Sequence, residues 1–294
     1  MPYRFRFSMI LVLLLFCGCE KTIDLKLDQT SPKLVVEATI ENGQFPIVIL
    51  SKSLDLFSPI NPSNISQNFV RRADVYVSNG IVSHKLREYT YQVSGYDFYY
   101  YSANLLSPST LFRGELNKRY GLRIVADGIE YTATTTIPDT TRIIDTLYTK
   151  PAPAGNDPQQ RALMGRFTDR PGLGDYVRYF TKKNSDPFYP GLNSVYDDQV
   201  IDGTTYEVQV ERGVDRSFPI EDGYSYFHAG DTVTLRLSNI DKPTYDFWRT
   251  MEFVFANQGN PFGTPTKVLS NISGNALGYF GGYASKYRTI IIPR

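Results

Sequence analysis

The sequence contains few of the side chains that most often carry chemistry. Its 294 residues include two histidines, His84 and His228, and two cysteines, Cys17 and Cys19. Histidine is the usual general base and the commonest metal ligand, so a zinc site or a Ser-His-Asp triad would need the two histidines to meet. We predict them in different domains, and we therefore expect no catalytic residue, no metal site and no cofactor.

Common nucleotide-binding and hydrolase motifs are also missing. The chain has no G-x-S-x-G, no Walker loop and no G-x-G-x-x-G that follows a strand. The formal net charge is +1, and it becomes −1 if Arg4 and Arg6 are removed with a signal peptide. A nucleic-acid-binding protein would need a basic surface, so we expect no nucleic acid partner.

The apolar run at the N-terminus is too short to span a membrane. Met9 to Phe16 is a run of eight apolar residues behind two arginines, whereas a spanning helix needs about 20. This layout predicts a secretory signal peptide over residues 1–18. Gly18-Cys19 resembles a bacterial lipobox, which implies cleavage before Cys19, a diacylglyceryl group on its sulfur and acylation of the new N-terminus, for example by palmitate. An ordinary signal peptide followed by a chance cysteine is the alternative.

Lipidation of Cys19 would fix the location of the mature protein. Each buried methylene contributes about 0.8 kcal/mol, and more than one chain gives stable anchoring to a membrane. Because Cys17 leaves with the signal, the mature chain has no free thiol and no disulfide and depends on its core. Glu20 and Asp24 lie just after Cys19, and acidic residues there resemble surface-export signals, so we expect exposure at the cell surface, with a periplasmic orientation as the alternative.

The abundant aromatic residues, 22 tyrosines and 18 phenylalanines, favour a mainly β protein. After a polar tether over residues 19–31, the pattern of short strands predicts an immunoglobulin-like β-sandwich over residues 32–138, with an exposed loop at 51–69. Three hairpins are predicted at turn dipeptides between strand-like runs: Asn42-Gly43, Asn79-Gly80 and Asp127-Gly128.

Residues 139–294 predict a second β-rich domain, either a sandwich or barrel-like, with one amphipathic helix at about 241–258. Asp241 is the predicted cap of that helix and Pro243 lies in its first turn. Its apolar residues recur at a period of 3.6, so we interpret Trp248, the only tryptophan, as a core residue and not as a ligand platform.

Two clusters of side chains, one acidic and one aromatic, are candidate binding sites. Asp197, Asp198 and Asp202 offer hard oxygen ligands for calcium, but the EF-hand pattern is absent and a solvated loop is the preferred interpretation. A glycosidase-type pair of carboxylates is not excluded, because their spacing depends on the fold.

The second cluster is a candidate binding surface formed by five aromatic residues: Tyr96, Phe98, Tyr99, Tyr100 and Tyr101. Strand alternation places Tyr96, Phe98 and Tyr100 on one face. One face should join the core, and the other is either a recognition stripe or covered as well.

Several segments resemble the Bacteroidota lipoprotein family DUF4249, a domain of unknown function. The resemblance runs from the lipid cysteine to the C-terminus and is carried by these segments: residues 19–25 (CEKTIDL), 33–38 (KLVVEA), 128–138 (GIEYTATTTIP), 143–148, 230–235 (GDTVTL), 245–250 and 271–284 (NISGNALGYFGGYA). It implies an outer-membrane lipoprotein with a β-sandwich ahead of a second β-rich domain, often linked to a TonB-dependent transporter. No catalytic residue comes with the family.

These features predict a lipid-anchored accessory or binding protein that docks on a TonB-dependent outer-membrane transporter and helps to capture a ligand. A structural or adhesive surface lipoprotein is the alternative, and a hydrolase that uses carboxylates alone is a third possibility.

Overall fold

The three predicted hairpins all form in the structure, a computed structural model that describes residues 31–54, 61–107, 111–155, 157–260 and 266–294. Antiparallel pairs flank each turn dipeptide. Asp127 and Gly128 have φ angles of 50° and 77°, as a two-residue type I′ hairpin turn requires. The predicted signal peptide, Cys19 and the tether up to residue 30 lie outside the described residues.

The described part of the chain is mainly β, as predicted. Its sixteen strands are β1 Leu34–Glu41, β2 Ile47–Lys52, β3 Asp74–Ser78, β4 Ser83–Lys85, β5 Arg87–Val93, β6 Tyr96–Ser102, β7 Lys118–Ala126, β8 Ile129–Ile137, β9 Ile143–Pro151, β10 Gln160–Thr168, β11 Tyr176–Lys183, β12 Tyr189–Asp197, β13 Thr205–Gln209, β14 Phe227–His228, β15 Thr232–Ile240 and β16 Leu277–Ile291. Its two helices are α1 Pro62–Gln67 and α2 Lys242–Ala256.

One long sheet runs through the whole described unit, with the strand order β12-β11-β15-β16-β1-β2-β6-β5. The last strand, β16, lies near its middle. The first part of β16 pairs in parallel with β1, from Val35↔Leu277 to Glu41↔Tyr283. Its second part pairs antiparallel with β15, from Ile240↔Tyr283 to Thr232↔Ile291. Residues 32–294 form one compact unit, and this sheet crosses the predicted boundary at residue 138.

A first sandwich forms where the four-stranded sheet β4-β3-β7-β8 covers one face of the long sheet. Alternate residues of β1 point into it, because successive side chains of a strand face opposite sides. Val36, Ala38 and Ile40 are fully buried there, together with Phe280 of β16. This core combines residues from both ends of the chain.

A second core lies between the long sheet and the sheet of β9, β10, β13 and β14. Leu235 of β15, Leu163 of β10 and Phe227 of β14 are fully buried in it. No sheet of the described residues closes on itself. Of the two predicted forms, a sandwich and a barrel-like domain, this region therefore has the sandwich form.

Helix α2 confirms the predicted helix to within two residues at its C-terminal end. Oδ1 of Asp241 caps it by accepting a hydrogen bond from the Thr244 amide at 3.1 Å. Its Oδ2 accepts from the Thr136 amide at 2.8 Å, which ties the helix start to β8. Phe247 and the partly buried Trp248 pack on Tyr279 and Tyr283 of β16, so the tryptophan packs into the protein on the side of the long sheet opposite the first core.

Helix α1 differs from the prediction for its segment. The sequence predicts an exposed loop over residues 51–69. In the structure β2 extends to Lys52, and α1 spans Pro62–Gln67. The Asn61 side chain caps α1. In the described part of the chain, neither helix is long and apolar enough to cross a membrane.

A close approach of β16 and β8 gives a direct test of this packing. Adding a methyl group to Gly282 would place it against the backbone of Thr136 and Ile137. We expect Gly282→Ala to lower the free energy of unfolding by about 3 kcal/mol, because backbone atoms would have to move. Gly121→Ala is the matched control, since Gly121 is also a strand glycine but faces open space; we expect it to be neutral or to stabilise by about 0.5 kcal/mol.

Urea unfolding of the two variants and the wild type measures both effects. Equal stabilities for the Gly282 and Gly121 variants would contradict the close contact between the two sheets.

Candidate functional site

A cavity with a volume of about 480 Å³ lies within the described part of the chain. It lies between strands β11 and β15 of the long sheet and strands β10 and β13 of the smaller sheet, with the start of α2 beside it. Its aliphatic floor is formed by four residues: Val177, Val210, Leu235 and Leu237. Val208 lies at the edge of the cavity and is 47% exposed, so the cavity is accessible from solvent.

Aromatic side chains line much of the cavity: Phe167, Tyr179, Tyr196, Tyr206 and Tyr245. Two pairs stack, Tyr179 on Tyr196 with ring centroids 6.2 Å apart and Phe167 on Tyr206 at 5.7 Å. Burial raises the pKa of Tyr196 and of Tyr245 to about 12, and the Asp197 carboxylate contributes at Tyr245. These phenols therefore stay neutral at physiological pH, and each donates its hydrogen within the protein, Tyr196 to the Asn193 carbonyl at 2.9 Å and Tyr245 to Asp197.

Two carboxylates also line the cavity, and each already accepts a hydrogen bond from a tyrosine. Asp197 Oδ2 accepts from the Tyr245 hydroxyl at 3.0 Å. Glu207 Oε2 accepts from the Tyr148 hydroxyl at 2.7 Å. Both acids therefore accept hydrogen bonds within the cavity wall.

Arg142 is the buried cation of the cavity wall. Its side chain is 1% exposed, and Nε donates to Oδ1 of the equally buried Asp169 at 3.1 Å. Its Nη2 atom has no hydrogen-bond partner among the described residues. A second cation, Arg249 of α2, lines the cavity from the exposed side. The charge of Arg142 is therefore paired with Asp169, and Arg249 is the cation that the cavity presents beside its aromatic wall.

A buried polar network holds α2 against the sheet next to the cavity. The guanidinium of Arg178 lies 3.4 Å from the Trp248 ring centroid, and its Nε donates to Ser194 Oγ at 3.0 Å. Glu252 of α2 accepts from the Ser194 amide at 3.0 Å. Trp248 donates to the Tyr283 hydroxyl at 3.2 Å. This network fixes the strand and helix that carry Tyr196, Tyr245 and Arg249.

The three acidic residues that the sequence offers as calcium ligands, Asp197, Asp198 and Asp202, do not lie together in the structure. Asp197 faces Tyr245, and Asp202 accepts from the Gly172 amide at 2.6 Å. Asp198 instead joins Asp169 and Asp175, with carboxylate oxygens of the three within 4.8 Å of one another. Burial raises the pKa of Asp175, and the two neighbouring carboxylates raise it further.

Sequence reasoning missed two members of this acidic cluster, which we define as Asp169, Asp175 and Asp198. Asp169 and Asp175 bracket the β10–β11 connection, far from Asp198 in the chain. The signal available was the string Asp169-Arg-Pro-Gly-Leu-Gly-Asp175, a glycine-rich turn with an acid at each end.

The aromatic hairpin predicted as a binding surface forms the edge of the long sheet. Tyr91 of β5 stacks on Phe98 of β6 at 5.5 Å, and Tyr89 stacks on Tyr100 at 5.5 Å. Tyr96 is 36% exposed. Tyr99 lies under the guanidinium of Arg71 at 4.0 Å.

Tyr101 has a different environment from the rest of the hairpin. It is 2% exposed and belongs to the first core. Its hydroxyl accepts from the Ala73 amide at 3.0 Å and lies 3.0 Å from Glu88 Oε2. Because its side of β6 faces the core, Tyr101 is a packing residue and does not belong to an exposed surface.

The two histidines lie on separate sheets. His84 of β4 stacks on Phe112 with ring centroids 4.5 Å apart. His228 of β14 is half exposed and lies 3.9 Å from Asp157. Neither lines the cavity.

The comparisons with known proteins give a family. A model of the family described as "Domain of unknown function (DUF4249)" matches residues 20–289. A search of curated proteins finds no match to the chain.

The buried ion pair in the cavity wall gives a test of this geometry. We expect Arg142→Met to lower the free energy of unfolding by about 3–5 kcal/mol, because it leaves the Asp169 carboxylate buried without its cation. Arg170→Met is the matched control, since the Arg170–Asp139 pair is about half exposed and should contribute less than about 1 kcal/mol.

Denaturant unfolding of both variants measures the difference. Comparable losses for the two arginines would contradict a buried, charge-paired Arg142.

Proposed function

The chain belongs to the DUF4249 family, and we propose that it is a lipid-anchored outer-membrane protein that binds a small ligand and assists a TonB-dependent transporter in its uptake. The observation that carries the binding role is the aromatic cavity. Its volume of about 480 Å³ falls in the range of small-molecule sites, which are mostly apolar concavities with a few placed polar groups. The described cavity has that composition.

The polar groups of the cavity indicate the chemistry of its ligand. Nη2 of Arg142 is a buried donor without a partner, and such a donor costs free energy until an acceptor reaches it. The neutral phenol of Tyr206, whose pKa is raised by burial, adds a donor along an apolar wall. A compact ligand with a flat apolar body and at least one acceptor oxygen or anionic group fits this arrangement.

The anchoring role is supported by the sequence before the described residues. Gly18-Cys19 behind a short apolar run supports lipidation of Cys19, and two or more acyl chains hold a protein stably at a membrane. Glu20 and Asp24 support export to the cell surface. A ligand cavity that is tethered to the outer membrane would raise the local concentration of ligand beside a transporter.

An adhesive or structural surface role is the second candidate, and the edge hairpin favours it. Tyr91, Val93 and Tyr96 of β5 and β6 are 46%, 48% and 36% exposed. Exposed aromatic residues on an edge strand can add area and backbone hydrogen bonds to a partner. This surface would bind a macromolecule and would leave the cavity unused.

Affinity purification from detergent-solubilised outer membranes tests the accessory role. We expect the wild-type protein to recover a TonB-dependent transporter, because both would lie in the same membrane and in contact. Cys19→Ala is the control, since it should release the protein from the membrane fraction and abolish the recovery.

Recovery of wild-type protein without any transporter, under conditions that preserve other transporter complexes, would contradict the proposal. A free monomeric pool in the outer membrane, with loss of adhesion on gene deletion, would favour the adhesive role.

A further inference from the structure

The acidic cluster lies where two connections meet at the edge of the second core. Asp169 and Asp175 belong to the β10–β11 connection, and Asp198 begins the turn after β12. Asp198 Oδ2 accepts from the Gly174 and Asp175 amides at 2.8 and 2.9 Å. These hydrogen bonds hold the backbone of the β10–β11 connection against the turn after β12. Oδ1 of Asp198 remains available to another partner.

Asp169 supplies the observation that points to a ligand. Its side chain is fully buried, its Oδ1 pairs with Arg142, and its Oδ2 has no hydrogen-bond partner in the part of the chain that the structure describes. A buried carboxylate oxygen without a partner carries a desolvation penalty. Because one oxygen is already taken by Arg142, Oδ2 is the atom that Asp169 can offer to the acidic cluster.

The charges around the acidic cluster also do not balance. Three carboxylates face one buried guanidinium, that of Arg142, so the group carries two excess negative charges when ionised. Isolated buried charges are expensive and are normally paired or coordinate a metal. A divalent cation would neutralise this excess.

The spacing of the oxygens favours calcium. Ca²⁺ takes oxygen ligands at about 2.3–2.6 Å in flexible geometry, so two of its ligands can lie up to about 5 Å apart. The carboxylate oxygens of the acidic cluster lie within 4.8 Å of one another. Mg²⁺ demands shorter distances of about 2.0–2.1 Å in a near-ideal octahedron and usually keeps several waters, whereas the flexible geometry of Ca²⁺ suits three carboxylates carried by two different connections.

We propose that Asp169, Asp175 and Asp198 bind one calcium ion, which clamps the β10–β11 connection onto the turn after β12. The site differs from the one considered from the sequence, because Asp197 and Asp202 lie outside it. It also replaces the expectation that the chain has no metal site. Since Val200 and Ile201 of that turn line the cavity, together with Asp197 at the end of β12, the clamp would hold part of the cavity wall.

Calcium titration of the purified protein after treatment with a chelator tests the proposal, with isothermal calorimetry for binding and thermal unfolding as a second readout. We expect one Ca²⁺ per chain, with a dissociation constant of about 10⁻⁴–10⁻³ M, as in extracellular calcium modules, and a thermal midpoint that rises with Ca²⁺ concentration. Asp175→Asn should weaken binding about tenfold or more, because it removes a charged ligand.

Asp202→Asn is the matched control, since Asp202 is an acid of the same turn that lies outside the acidic cluster and should leave the affinity within about twofold. Because the wild-type titration needs no variant, the test holds even if a substitution prevents folding.

No calcium binding by the wild type up to about 10 mM, well above the range of extracellular sites, would overturn the proposal. Unchanged affinity in Asp175→Asn, an equal loss in Asp202→Asn, or binding of Mg²⁺ without Ca²⁺ would overturn it as well. None of these results bears on the transporter association, which is measured separately.

Discussion

The pairing of the last strand with the first is the constraint on which the rest of the structure depends. Through Tyr283, β16 changes its partner from β1 to β15, so that one sheet serves both cores. Side-chain contacts reinforce the change, because Glu41 of β1 forms an ion pair with Arg236 of β15 at 2.7 Å across β16. Opposite faces of β16 meet different layers: Phe280 enters the first core, and Tyr279 packs under α2.

The cavity and the acidic cluster both follow from that arrangement. Strand β15 lies beside β16 and supplies Leu235 and Leu237 of the cavity floor. Strand β11 lies beside β15 and supplies Val177 and Tyr179. Helix α2, held by Arg178 and Glu252 over the same sheet, places Tyr245 and Arg249 at the cavity. Arg142 joins the two features, since it lines the cavity and pairs with Asp169. A change in one region should therefore be felt in the other.

Local elements could be predicted from the sequence, and long-range contacts could not. Asp127-Gly128 specifies its hairpin because both residues must adopt positive φ, and Asp241 with an apolar period of 3.6 specifies α2. The parallel pairing of β1 with β16 joins residues more than two hundred positions apart and leaves no local signal. The same limit hid the acidic cluster, because Asp169 and Asp175 meet Asp198 only in the folded chain. The alternation of side chains along β6 predicts two faces of the strand. Which face is buried depends on the neighbouring sheet, and that sheet buries Tyr101.

Native mass spectrometry of protein released from its own membrane shows whether the aromatic cavity holds a small ligand. Val208→Trp would fill the edge of the cavity, whereas Val93→Trp changes an equally exposed strand valine on the edge hairpin, 48% against 47% exposed. The account predicts a bound small molecule in the wild type and in Val93→Trp, and its loss in Val208→Trp. Wild-type protein without a bound molecule, or a molecule retained equally in Val208→Trp, would contradict it.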